Sequence, residues 1–305
     1  MLDPRPEWTG ASTRPRSREG GGVWVLHRGA LGDGVLLWPM LRALARCGPV
    51  TLVADGPRAA LAARELGLTG LDAEAPALGR LWVAGGAVQA VPGVTSVHAY
   101  LGPQAVRSRV WTENARRMFP GAVVTAHALR PDAALARLWS CLPGGAAPAA
   151  VGGAGRVVLH VGAGGAPKCW PLAAWSALAA GLAAVVADAP PTVVAGEVER
   201  ERHDALERAA FRQLDGRYLS DLAALADLLR DARLVVGADS GPAHLAAQLG
   251  VPTLVLFGPT RPERWAPVGP RVTVMAPPTP RPMTWLDPSL VLRAALDALR
   301  GPESG

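Results

Sequence analysis

Twice along this chain a short apolar run stops at a glycine-bearing loop and gives way to apolar residues at helical spacing. The first run is Val23 to His27, followed by Arg28-Gly29-Ala30-Leu31-Gly32-Asp33-Gly34 and then by Val35, Leu36, Met40, Leu41 and Leu44. The second is Val157 to Val161, followed by a loop from Gly162 to Pro171 and a helical pattern over 173–186. Four or five consecutive apolar residues before a glycine loop read as a strand buried on both faces, and strands that alternate with helices pair in parallel. The expected fold class is therefore α/β, with two Rossmann-like domains.

The remaining pattern fits that plan. Strands are expected at Val50 to Ala54, Leu81 to Ala84, Val94 to His98, Thr192 to Ala195, Leu234 to Val236 and Thr253 to Phe257. Helices are expected at Arg58 to Leu66, Val198 to Phe211, Leu222 to Leu229, Ala243 to Leu249 and Leu290 to Leu299. Between the halves, 142–155 is almost entirely Gly, Ala and Pro, a composition with no core-forming content. The chain divides on this reading into a lead-in of residues 1–22, a first domain over 23–145, a linker over 146–155, a second domain over 156–287 and a closing helix and tail over 288–305.

Three loops follow expected strands, where open parallel sheets bind their ligands. Asp33 lies between glycines; it is either a carboxylate offered to a substrate or the N-cap of the next helix. The loop Gly162-Ala163-Gly164-Gly165-Ala166-Pro167-Lys168 brings backbone N–H groups and one cation together, as a phosphate requires, but it lacks the Gly-Lys-Ser/Thr of a nucleotide-triphosphate loop. Lys168 is the sole lysine among 31 basic residues; its bland reading is a surface lysine beside a Trp-Pro corner. The segment Gly237-Ala238-Asp239-Ser240-Gly241-Pro242-Ala243-His244 opens a helix whose N-terminus favours an anion, unless Asp239 or Ser240 merely caps it.

Composition removes several alternatives. A formal charge of +6 favours anionic partners, yet no aromatic-interleaved basic patch marks a nucleic-acid surface. Neither glycine loop reads Gly-x-Gly-x-x-Gly with an acidic residue about 20 positions on, which argues against a dehydrogenase. Cys47, Cys141 and Cys169 show no metal-ligand spacing and give no disulfide framework, so no metal is expected and a reducing cytoplasm is the simplest setting. Residues 1–22 have no apolar core of a signal peptide, and the apolar stretch 172–186 falls short of the ~20 residues of a span. Trp170, Trp175 and Trp265 read as packing residues.

Taken in order, Arg28 to Asp33 with Pro39, Lys168-Cys169-Trp170-Pro171, Asp239 to His244, and Phe257-Gly258-Pro259-Thr260 with Trp265 and Pro267 resemble glycosyltransferase family 9, the bacterial heptosyltransferases. The resemblance runs from residue 23 to about 270 and has no anchor in 60–150. It implies a GT-B fold, two Rossmann-like domains facing across a cleft, and a metal-independent inverting transfer without a cofactor. It implies Asp33 as general base, with Arg28 and Gly32 in the acceptor-side loop. Lys168, Gly164, Asp239, Ser240, Gly241 and His244 would hold the donor, a nucleotide sugar of the ADP-heptose type. The family's ribose-binding glutamate falls among Glu197, Glu199 and Glu201, with Glu199 preferred over a merely solvated helix face. A glycan or glycolipid acceptor of the lipopolysaccharide-core type would be the partner, met in the cytoplasm or at the inner membrane face, and no nucleic acid. Two other readings stand beside it, a noncatalytic nucleotide-sugar binder and a sugar-nucleotide epimerase of the same fold.

Overall fold

A computed structural model describes residues 22–107, 109–128, 132–151, 153, 155–186 and 190–300. The lead-in up to residue 21 and the last five residues lie outside the described residues. The described residues form two compact units: one from 22–28 and 44–128, the other from 29–43 and from residue 132 to residue 300. The loop and helix that follow the first strand thus belong to the second unit.

The first unit holds a five-stranded parallel sheet of β1 (Gly22–His27), β2 (Val50–Ala54), β3 (Thr69–Asp72), β4 (Val94–Tyr100) and β5 (Val123–His127), in the order β3-β2-β1-β4-β5. Val97, Ala99, Trp24 and Leu26 turn one face into a core with Trp111, Ala115 and Phe119. The expected strand at Leu81 to Ala84 is instead a 3-10 turn over Arg80–Trp82. Buried Asn114 meets the carbonyls of this stretch, its Nδ2 lying 3.2, 3.1 and 2.9 Å from Arg80 O, Leu81 O and Val83 O.

The second unit holds six parallel strands: β6 (Val157–His160), β7 (Thr192–Ala195), β8 (Arg217–Tyr218), β9 (Leu234–Ala238), β10 (Thr253–Leu256) and β11 (Val272–Met275). Their order, β8-β7-β6-β9-β10-β11, is that of a dinucleotide-binding Rossmann sheet, with its switch point between β6 and β9. The strands β6, β7, β9 and β10 are buried at every residue, as a sheet covered on both faces demands.

The apolar stretch Ala166–Val185 has the length and composition of a membrane span. It is nevertheless broken: a 3-10 turn over Ala166–Lys168 precedes the helix Leu172–Val185, and 14 residues reach only about 21 Å. Trp175, Leu178 and Leu182 face the core against Val291 and Ala295 of the helix Pro288–Arg300. The expected single helix over 198–211 is two, Glu197–Arg202 and Ala205–Gln213, divided where Asp204 caps the second. Its carboxylate accepts from Glu207 N–H at 2.8 Å while Glu207 accepts from Asp204 N–H at 3.0 Å. The Gly-Ala-Pro segment before β6 lies on this unit as well, with Val151 N–H on Gly250 O and Gly155 N–H on Asp231 O, both at 3.1 Å.

Candidate active site

The loop after β6 and the segment after β9 flank the switch point of the second sheet, and they meet at one carboxylate. Asp239 is buried, and its Oδ2 accepts from Lys168 Nζ at 3.1 Å and from Thr260 Oγ1 at 2.7 Å. On the other oxygen, His244 Nε2 lies 3.9 Å from Oδ1. Burial pushes the Asp239 carboxyl up, but His244, Lys168 and Thr260 outweigh it and hold the group below its ordinary range, so it is an anion at neutral pH. Neither bland reading fits this geometry. Lys168 is not a free surface cation, and the Asp239 side chain faces three side chains and does not cap the helix Gly241–Gln248.

Ser240 holds the N-cap position of that helix with extended backbone, yet its Oγ makes no capping bond. Ser240 Oγ and His244 Nδ1 are buried without a hydrogen-bond partner among the described residues. A buried polar group left unmatched costs about 1–3 kcal/mol, so two in one helical turn mark a place where the fold is not optimised for its own sake.

Gly241 and Gly32 let a second helix, Leu31–Val35, approach this turn. A Cβ on Gly241 would lie 2.9 Å from Leu31 Cβ, and one on Gly32 would lie 3.2 Å from His244 Cδ2. Asp33 is the third residue of that helix and half-buried; Ala30 occupies the N-cap position, so Asp33 is not the cap. Arg28 belongs to the first unit, where it pairs with Glu74 and lies 5.4 Å from the Trp82 ring centroid. Gly164 is exposed with open space where a side chain would stand, so its backbone N–H is approachable.

Of the three competing glutamates, Glu199 alone is buried; Glu197 pairs with Arg200 and Glu201 is exposed. Glu199 Oε1 accepts from Ala163 N–H and its Oε2 from Gly196 N–H, each at 3.1 Å. Beside it, burial lowers the pKa of His160, whose Nδ1 is 3.2 Å from Gly162 O. Burial likewise pushes up the Cys169 thiol, against the Arg202 guanidinium. Thr260 and Arg202 were not singled out from sequence. Thr260 stands inside the quoted Phe-Gly-Pro-Thr string, and Arg202 sits three residues after Glu199, so only their surroundings reveal them. Trp170 and Trp175 are core residues, with Trp170 Nε1 donating to Leu286 O at 3.1 Å. Among the described residues no group of three or more His, Cys, Asp or Glu could hold a metal ion.

Similar solved structures share this architecture. A glycosyl transferase family 9 protein from Veillonella parvula superposes with a TM-score of 0.67 at 14% identity, covering 94% of this chain and 99% of that one. ADP-heptose LPS heptosyltransferase II from E. coli gives 0.60 at 17% identity, covering 93% and 100%. E. coli heptosyltransferase WaaC with ADP gives 0.58 at 15% identity, covering 91% and 99%. At such identities the shared property is the fold. In sequence, lipopolysaccharide heptosyltransferase 1 from Pseudomonas aeruginosa is 58% identical over 41 residues, which span 13% of this chain and 12% of that protein. The model of glycosyltransferase family 9 (heptosyltransferase) matches residues 145–283, the stretch that carries Lys168, Glu199, Asp239, Ser240, His244 and Thr260. By that match, residues 145–283 are similar to glycosyltransferase family 9.

Proposed function

We propose that the protein is an inverting glycosyltransferase that moves a sugar from a nucleotide diphosphate, of the ADP-heptose type, to a hydroxyl of a glycan or glycolipid without a metal. The observation that carries this reading is the Lys168–Asp239–Thr260 cluster beside two buried, unmatched polar atoms, Ser240 Oγ and His244 Nδ1, in the first turn of one helix. In the transfer, Asp33 takes the proton of the acceptor hydroxyl while its oxygen attacks the anomeric carbon from the face opposite the diphosphate. The bond from that carbon to the phosphate oxygen breaks, and its electron pair leaves with the diphosphate. Lys168, the N–H of Gly164 and Gly241, Ser240 and His244 supply positive charge and donors where that negative charge develops. Asp239, kept ionised, accepts hydroxyls of the sugar, and Glu199 those of the ribose. The compartment proposed for the reaction is the cytoplasm.

Calorimetry with ADP-heptose, ADP-glucose and UDP-sugars on the wild type and on Lys168→Ala tests the donor side. One ADP-sugar is expected to bind, with a loss of about tenfold or more in the variant. Asp33→Asn is expected to keep donor affinity and lose about 10²–10⁴ in kcat. If no nucleotide sugar binds the folded protein, the proposal fails; if the donor binds but wild type and Asp33→Asn turn over alike, a noncatalytic binder is the better description.

A further inference from the structure

The loop that carries Lys168 is gripped at two points by one side chain outside the set assigned to the donor. Arg202 Nη2 and Nη1 donate to the carbonyl of Ala163 at 3.3 and 3.4 Å. Arg202 Nη1 also lies 3.2 Å from Sγ of Cys169, the residue after Lys168. The N–H of the same Ala163 is held by Glu199, whose Oε1 lies 3.8 Å from Arg202 Nη1. Both polar groups of one buried loop residue are thus taken by an ion pair on the helix Glu197–Arg202. Cys169 Sγ adds a long contact of 3.7 Å to Gly165 O within the loop.

We propose that Arg202 is a positioning residue: with Glu199 it clamps the loop from Gly162 to Cys169 and so fixes where Lys168 stands, without touching the substrate itself. The inference rests on the glycosyltransferase reading above. A guanidinium suits the task because its planar fork reaches a carbonyl and a sulfur at once, whereas an ammonium at the end of a lysine is a single point of donation. The neighbouring Arg200 behaves differently, pairing with Glu197 at the exposed face of the same helix.

The test is a double-mutant cycle on the full chain, with ADP and ADP-heptose as probes in calorimetry. Arg202→Ala is expected to weaken binding of both by about tenfold, and Arg202→Lys to recover only part of that loss. Because Arg202 acts through Lys168, Arg202→Ala in a Lys168→Ala background is expected to cost about twofold or less. A role confined to holding the fold together would leave the two losses multiplying in full, and that result, or unchanged affinity in Arg202→Ala, overturns the clamp. Should Arg202→Ala not fold, Arg202→Lys carries the same cycle. If Lys168→Ala binds both probes as tightly as the wild type, the reading of the loop as a phosphate site falls, and the clamp with it.

Discussion

Replacing Thr260 by valine removes one hydroxyl and little else, which makes it the sharpest probe of the buried carboxylate. The Thr260 Oγ1 bond to Asp239 Oδ2 is 2.7 Å long, and the Asp239 side chain is only 6% exposed, so solvent cannot replace the lost donor. A hydrogen bond to a charged group contributes about 1.5–3 kcal/mol, and Thr260→Val should destabilise the second unit by that amount at neutral pH. Taking about 2 kcal/mol, the midpoint of thermal unfolding falls by about 4–8 °C for a unit of this size. The pH dependence follows from the depressed pKa of Asp239, which lies below the ordinary 3.8. A group of that kind adds stability above its unfolded pKa and loses it as pH falls through its folded value. The gap between wild type and Thr260→Val should therefore be constant from neutral pH down to about pH 4 and narrow below it. Denaturant unfolding from pH 7 to pH 2, with Thr260→Ser as the control that keeps the hydroxyl, measures both effects. A Thr260→Val protein within about 0.5 kcal/mol of wild type, or a Thr260→Ser protein equally destabilised, would refute the role assigned to the hydroxyl.

Two further substitutions separate the units. A Cβ on Gly162 would stand 2.3 Å from the Glu199 carboxylate, so Gly162→Ala must displace that group from the Ala163 and Gly196 N–H groups. It is expected to cost about 1–3 kcal/mol in denaturant unfolding and to weaken ADP binding in calorimetry. In the first unit, Asn114→Ala removes a side-chain donor from the carbonyls of Arg80, Leu81 and Val83, of which Arg80 O and Val83 O keep a backbone N–H. A loss of about 1–3 kcal/mol is expected in the unfolding of that unit, with ADP affinity unchanged.

How legible these features are in the sequence depends on how much apolar surface each element buries. The inner strands β1, β2, β6, β7, β9 and β10 pair on both edges and read as apolar runs, so their positions follow within a residue or two. The strands that reasoning from sequence passes over are the four edge strands: β3 is Thr-Gly-Leu-Asp, β8 is Arg-Tyr, β5 ends in Thr-Ala-His, and β11, Val-Thr-Val-Met, buries none of its residues fully. Pairing on one side alone needs no continuous apolar run, and the signal fades accordingly. The run from Leu81 misleads for the opposite reason. It is apolar because Leu81 is fully buried, but its backbone turns and its carbonyl meets a side chain 33 residues on, Asn114.

The same distinction governs the candidate site. Lys168 and Asp239 can each be picked out of the sequence, because a lone lysine and an acidic residue at the end of an apolar run are local facts. That they share one carboxylate oxygen with Thr260 across 71 and 21 residues is a property of strand order, which sets the loops after β6 and β9 side by side. Glu199 is a middle case: three glutamates at alternate positions look alike in a charged hexapeptide, and only the helix geometry turns the middle one inward to the backbone of Ala163. The helix then places Arg202 one turn on, facing the same residue, so the side chain that holds the loop is fixed by the one that caps the helix. Sequence thus exposes the groups suited to the chemistry, whereas the groups that hold them still depend on neighbours far along the chain.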